Sequence, residues 1–161
     1  MVEQKSQTLY QVRFIVDANI VFSGILNTNG KIGDLLINSK PYFTFIAPEF
    51  LRTEIRNHHL RLVKFSGLTI EEIYEAEFHL YKDILFISQE QIKISNWVAA
   101  DALVAEVDPK DTPYIAYAKQ FRCKIWSGDK KLIKGLSAKG FINFITTDEI
   151  YKLRENQRDK T

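Results

Sequence analysis

Four carboxylates carry most of the chemical content of this 161-residue chain: Asp17, Glu54, Asp111 and Asp129. Three sit where one predicted element gives way to the next. Asp17 closes the apolar run Val12–Val16, Asp111 opens a helix at Asp111-Thr112-Pro113, and Asp129 follows a later apolar run after the turn Ser127-Gly128. Glu54 lies inside a helix, about 9 Å past Pro48 at ~1.5 Å per residue, and shares a face with Leu51 and Ile55. Carboxylates gathered in one place repel, and their pKa values rise unless a cation enters. Their titrations are then coupled. An all-oxygen set suits Mg²⁺ or Mn²⁺ and not zinc. Such a site activates water and stabilises the charge that builds up as a phosphodiester breaks.

The elements around these acids decide whether they meet. Val12–Val16 reads as a buried strand and Ala18–Leu26 as a helix, stopped by turn residues at Asn27–Gly30. Ile32–Asn38 is a short helix, and Phe43–Ala47 a second strand. Pro48 is expected at the start of the next helix, which puts Leu51, Ile55, His58 and Leu62 on one face. Thr69 and Glu72 form a capping box. Ile84–Ile87 is a third strand. The stretch from Gln89 to Val107 is ambiguous, with helical character over Ser95–Val107. Cys123–Trp126 is a fourth strand, Asp129–Ser137 a helix, Phe141–Ile145 a fifth strand, and Asp148 to about Glu155 a last helix. Residues 1–11 and 156–161 are expected to be frayed tails.

Strands alternate with helices and no two-residue hairpin turn occurs, which predicts a parallel sheet covered on both faces. In such a sheet, strand carboxyl ends and helix amino ends share an edge, and ligands bind there where the strand order reverses. All four acids map to that edge.

Composition sets the outer bounds. Hydrophobic residues make up 45% and charged residues 26%, with 7 Gly and 4 Pro, which excludes a disordered or collagen-like chain. The length predicts one domain over 1–161. The single Cys excludes an internal disulfide framework and a Cys-based zinc site. No apolar run approaches the ~20 residues of a membrane helix. Met1–Thr8 lacks the apolar core of a signal peptide, so the expectation is a cytoplasmic protein. Lys and Arg total 22 against 20 Asp and Glu, and a net charge of +2 neither excludes nor favours nucleic acid.

Val16-Asp17-Ala18-Asn19, the run from Pro48 to Glu54-Ile55, Asp111–Ala118, and Trp126–Leu132 together resemble the motifs of the PIN domain, in that family's order and across residues 12–147. The resemblance implies a three-layer α/β/α fold with a five-stranded parallel sheet in order 3-2-1-4-5. It implies Mg²⁺- or Mn²⁺-dependent endoribonuclease activity. It also implies a homodimer and, as in many prokaryotic members, a toxin restrained by a small antitoxin protein. Carried over by position, Asp17, Glu54, Asp111 and Asp129 match the metal-binding and catalytic acids. Asn19 matches the polar residue that steadies the first acid, and Ser127 the hydroxyl before the last. Lys131 departs from the pattern: many members have a further acid there, which bears on a second metal. Asp108 and Asp101 lie close enough in sequence to assist Asp111.

Blander roles compete for the same residues. Asp17, Asp111 and Asp129 each fit a helix N-cap, but capping does not explain Glu54. His58 falls on the apolar face and reads as a core or boundary histidine, with no third nitrogen or sulfur ligand in view. His79 reads as a surface residue and Cys123 as a small apolar filler. Lys130, Lys131 and Lys134 fit contacts to RNA phosphates and equally a solvated helix face. Arg52, Arg56, His59 and Arg61 form a second basic face. Tyr10, Tyr42 and Trp126 are candidates for stacking on bases. The apolar stretches Ile32–Ile37 and Phe65–Tyr81 suit either core or a dimer surface.

The leading expectation is hydrolysis of single-stranded RNA by in-line attack of water, leaving a 5′ phosphate and a 3′ hydroxyl. The alternative is a PIN-fold module that binds RNA or protein with weak or no catalysis. A phospho-accepting receiver is disfavoured, because Asp17 lacks an acidic neighbour and Ser88 stands where the third strand should end in Asp. A structure-specific DNA nuclease would carry long insertions.

Overall fold

Val12–Val16 forms strand β1, with Phe14, Ile15 and Val16 buried. The computed structural model describes residues 11–160. The expectations for residues 1–10, including Tyr10, lie outside the described residues. Gln11 is tied down by side-chain hydrogen bonds to the Lys40 and Pro41 carbonyls and to Thr44, unlike the frayed residue expected.

After β1 come α1 (Ala18–Leu26), α2 (Lys31–Asn38) and β2 (Phe43–Pro48). Next are α3 (Phe50–Asn57), α4 (His59–Ser66), α5 (Ile70–Tyr81) and β3 (Ile84–Ile87). Then follow α6 (Ile94–Val104), α7 (Thr112–Phe121), β4 (Lys124–Trp126), α8 (Lys130–Ser137), β5 (Phe144–Ile145) and α9 (Thr147–Asp159). Single 3-10 turns at Gln89–Gln91 and Pro109–Asp111 precede α6 and α7. The capping box at Thr69 and Glu72 opens α5 as expected, and a second, at Thr146 and Glu149, opens α9.

All strand pairs are parallel and the order is β3-β2-β1-β4-β5. The direction of travel reverses between β1 and β4, so the switch point lies between their carboxyl ends. One layer is built on α7, which packs on β1, β2 and β4 and is backed by α6. In the other, α1 gathers α2, α3, α4 and α5 around it. The sheet residues Ile15, Val16, Ile46, Ile125 and Trp126 are buried between the two. The result is the expected three-layer α/β/α arrangement.

Several boundaries differ from expectation, each for a local reason. Pro48 closes β2, paired with Ile87, and α3 starts only at Phe50. The predicted continuous helix breaks at His58, and the chain restarts at His59. The break rotates the faces: His58 is exposed, whereas His59 is buried and bonded to Glu77. His59 therefore leaves the basic face, and His58 leaves the apolar one. Cys123 is not yet strand, because its N–H still bonds the Ala118 carbonyl while Arg122 turns left-handed at φ 52°. Phe141 likewise still caps α8 through the Leu136 carbonyl, with Gly140 at φ 87°, so β5 is two residues long. Residues 156–159 belong to α9 and not to a tail. Among the described residues no helix is long and apolar enough to cross a membrane.

Candidate active site

The site is built on the carboxyl ends of β1 and β4. Asp17 leaves β1 and caps α1, accepting from the Ile20 N–H at 3.1 Å. It is 4% exposed, and burial pushes its pKa up. The Ser127 hydroxyl and the N–H groups of Ile20 and Asn19 oppose that rise, while the Asp129 charge adds to it. Asp129 leaves β4 and caps α8 through the Leu132 N–H at 3.0 Å. Ser127, fully buried, lies between them and accepts from the Asp129 N–H at 3.1 Å. A buried hydroxyl offers a donor to one acid and an acceptor to the other's backbone.

Glu54 and Asp111 approach from the flanking helices. Glu54 is half-buried on α3, beside the buried Leu51 and Ile55. Burial first, then the charges of Asp111 and Asp17, raise it to about 7, against a smaller opposing pull from Lys110 and Tyr114. Asp111, at the N-cap of α7, also rises to about 7, through burial and then the charges of Asp108, Asp17 and Asp129. Four acids from four separate segments thus act on one another at one sheet edge. Among the described residues no three His, Cys, Asp or Glu groups stand close enough to make a finished ion cage.

The predicted supporting residues divide. Ser127 lies between Asp17 and Asp129. Asn19 steadies Asp17 through its backbone N–H, and its side chain points outward, exposed. Asp108 caps the turn before Asp111, accepting from Lys110 N–H at 3.0 Å, and acts on Asp111 electrostatically. Asp101 is exposed on α6 and is not among the charges acting on Asp111. Lys130, Lys131 and Lys134 are exposed on α8.

Other candidates move away from the site. Trp126 is fully buried and donates its indole N–H to Thr147 at 3.0 Å, so it offers no face to a base. Tyr42 packs half-buried against the core. The Cys123 thiol is pushed up to about 11 by burial, which leaves it protonated and inert at neutral pH. Leu35, Leu36, Ile73, Ala76 and Leu80 are core, whereas Phe65, Tyr74 and Phe78 remain exposed.

Sequence reasoning missed Tyr114. Its ring is 2% exposed, 5.6 Å from that of Phe50, and its hydroxyl faces Glu54 and the Ala18 backbone. That hydroxyl has no well-formed hydrogen bond in the structure. Its position three residues after Asp111, on the same helix face, was the available signal.

In an open parallel α/β sheet the switch point is where ligands bind, and here it is lined with acids. A family model described as PIN domain matches residues 15–155, and the chain belongs to that family. PIN domains are generally nucleases. No curated protein matches the chain.

Proposed function

We propose that this protein is a Mg²⁺- or Mn²⁺-dependent endoribonuclease, with Asp17, Glu54, Asp111 and Asp129 as the catalytic, metal-binding acids. The reading is carried by the placement of Asp17 and Asp129 on either side of the buried Ser127, with Glu54 and Asp111 entering from α3 and the start of α7 near enough to act on them electrostatically. The donor set fits a hard divalent cation: it is all oxygen, partly desolvated and over-supplied with negative charge.

When bound, such an ion lowers the pKa of water and neutralises charge on the cleaved phosphate. The chain's own residues do the rest. Asp17 is held in one orientation by the Ile20 and Asn19 N–H groups and by Ser127. Asp129 is fixed in turn by the Leu132 N–H. Burial and neighbouring charge raise Glu54 and Asp111 to about 7, so either can hold a proton at a carboxylate oxygen and release it as a cation arrives. Lys110 balances charge beside Glu54.

The finer reading makes the chain the toxin of a toxin–antitoxin pair, acting as a homodimer. A small antitoxin would place a basic side chain among the acids. The neighbouring reading frame is the place to look for it.

The test is a mixed single-stranded RNA pool incubated with Mn²⁺ or with chelator. Cleavage that needs Mn²⁺ and vanishes in Asp17→Asn, with the circular dichroism spectrum unchanged, is the expected result. Equal cleavage by Asp17→Asn removes Asp17 from the site. An intact pool under all conditions leaves the binding module as the better reading.

A further inference from the structure

A cavity lies at the carboxyl ends of β2 and β3, and its wall includes Thr53, next to Glu54, and Pro113, two residues after Asp111. It measures about 490 Å³, within the usual range for small-ligand pockets. Two helices serve both places. α3 turns Glu54 toward the acids and lines the cavity with Arg52 and Arg56, one turn apart. α7 turns Asp111 and Tyr114 toward the acids and lines the cavity with Tyr117.

The lining is mixed in a specific way. Arg52 lies over the Phe86 ring at 3.8 Å from its centroid, and neither Arg52 nor Arg56 has an ion-pair partner among the described residues. Trp97 forms a half-buried aromatic wall, braced edge-to-face by Tyr117 at 6.2 Å. Tyr117 is itself fixed by donating its hydroxyl to the Ile87 carbonyl at 2.6 Å. Glu49 and Glu90 complete the polar rim.

We propose that this cavity is a nucleotide subsite, holding one nucleotide of the RNA strand next to the bond cleaved at the acids. The proposal rests on the nuclease reading above. Arg52 and Arg56 take the phosphate, which the acidic edge by itself repels. Trp97 takes the face of the base. Glu49 and Glu90, which cannot accept a phosphate, accept from base N–H groups and so fix which way round the nucleotide sits.

The test uses the full chain and a labelled ten-nucleotide single-stranded RNA of mixed sequence. Binding is followed by anisotropy in chelator over a salt series, and cut-site sequences are read from the pool with Mn²⁺. R52A/R56A should weaken binding by about tenfold and lower the salt slope by about 0.7, for the one phosphate the two arginines share. That weakening should be uniform across sequences, and base preference at one position beside the cut should be lost instead in E49Q/E90Q. K82A/K124A removes the same charge from exposed lysines at the opposite sheet edge, and should stay within about twofold of wild type. Equal losses in R52A/R56A and K82A/K124A, or none in R52A/R56A, overturn the subsite while leaving the nuclease intact. A wild type that neither binds this RNA nor cuts the pool sinks the nuclease reading and the subsite with it.

Discussion

Ser127 faces the Asp17 carboxylate with its hydroxyl while its oxygen accepts from the Asp129 amide at 3.1 Å. One buried side chain thereby sets the spacing of the first and last acids. Ser127→Ala removes a donor from a carboxylate that burial already disfavours, so the Asp17 pKa should climb further. We expect Mn²⁺ affinity, measured by calorimetry, to fall about tenfold, with a loss of about 1–2 kcal/mol in urea unfolding. Unchanged affinity would mean that Ser127 serves only the backbone turn.

The raised acids give stability a direction in pH. Glu54 and Asp111 stand at about 7 when folded, against ordinary values of 4.5 and 3.8. Below those ordinary values both states hold the protons. As pH rises toward 7 the unfolded chain releases protons that the folded chain retains, so this contribution to stability is lost. Tm of the metal-free protein should therefore decline from about pH 5 to about pH 8, and saturating Mn²⁺ should flatten or reverse the decline. A scanning-fluorimetry series with and without Mn²⁺ reads both slopes. A metal-free Tm that climbs across this range would contradict the desolvated acid pair.

Tyr114 carries a buried hydroxyl without a well-formed bond. Tyr114→Phe keeps the ring against Phe50 and deletes only that oxygen. The variant should be as stable as wild type or more so, by up to about 1 kcal/mol, since an unsatisfied polar group costs about 1–3 kcal/mol. It also removes a group that lowers the Glu54 pKa. The pH midpoint of Mn²⁺ binding should move upward. A clear loss of stability in urea would show that the hydroxyl is well bonded after all.

Far from the acids, Arg154 on α9 is 3% exposed and pairs with Asp34 on α2. It also reaches the Ser39 hydroxyl and the Asp34 carbonyl, each at 3.4 Å. Asp34→Ala leaves a buried guanidinium with Glu155 as its remaining acidic partner. The expected cost is about 2–3 kcal/mol, below that of a fully buried pair because Asp34 is partly exposed. The double variant Asp34→Ala/Arg154→Met should recover much of the loss, since the unpaired charge is gone. Urea unfolding of both variants checks this.

Local patterns were legible where the cause was local. The Thr69–Glu72 capping box, the apolar runs of β1 and β3, and the bounds of α1 match expectation because side chain and backbone only a few residues apart decide them. His58 and His59 were exchanged because a helical wheel assumes an unbroken helix, and the break at His58 is invisible to periodicity. Trp126 looked available to a base because aromatic type does not reveal burial; Thr147, 21 residues later, holds its indole nitrogen in the core.

The chain's own residues thus determined the alternation of strands and helices and the acid at the end of each motif, since spacing and residue type suffice for both. Tertiary structure alone decided which side chains face those acids. Ser127 between Asp17 and Asp129, Tyr114 against Glu54, and Arg52 and Arg56 in the cavity all depend on segments packing from distant positions. Desolvation and Coulomb interaction act through space, so neither the raised acids nor the arginines that line the cavity have a signature along the chain.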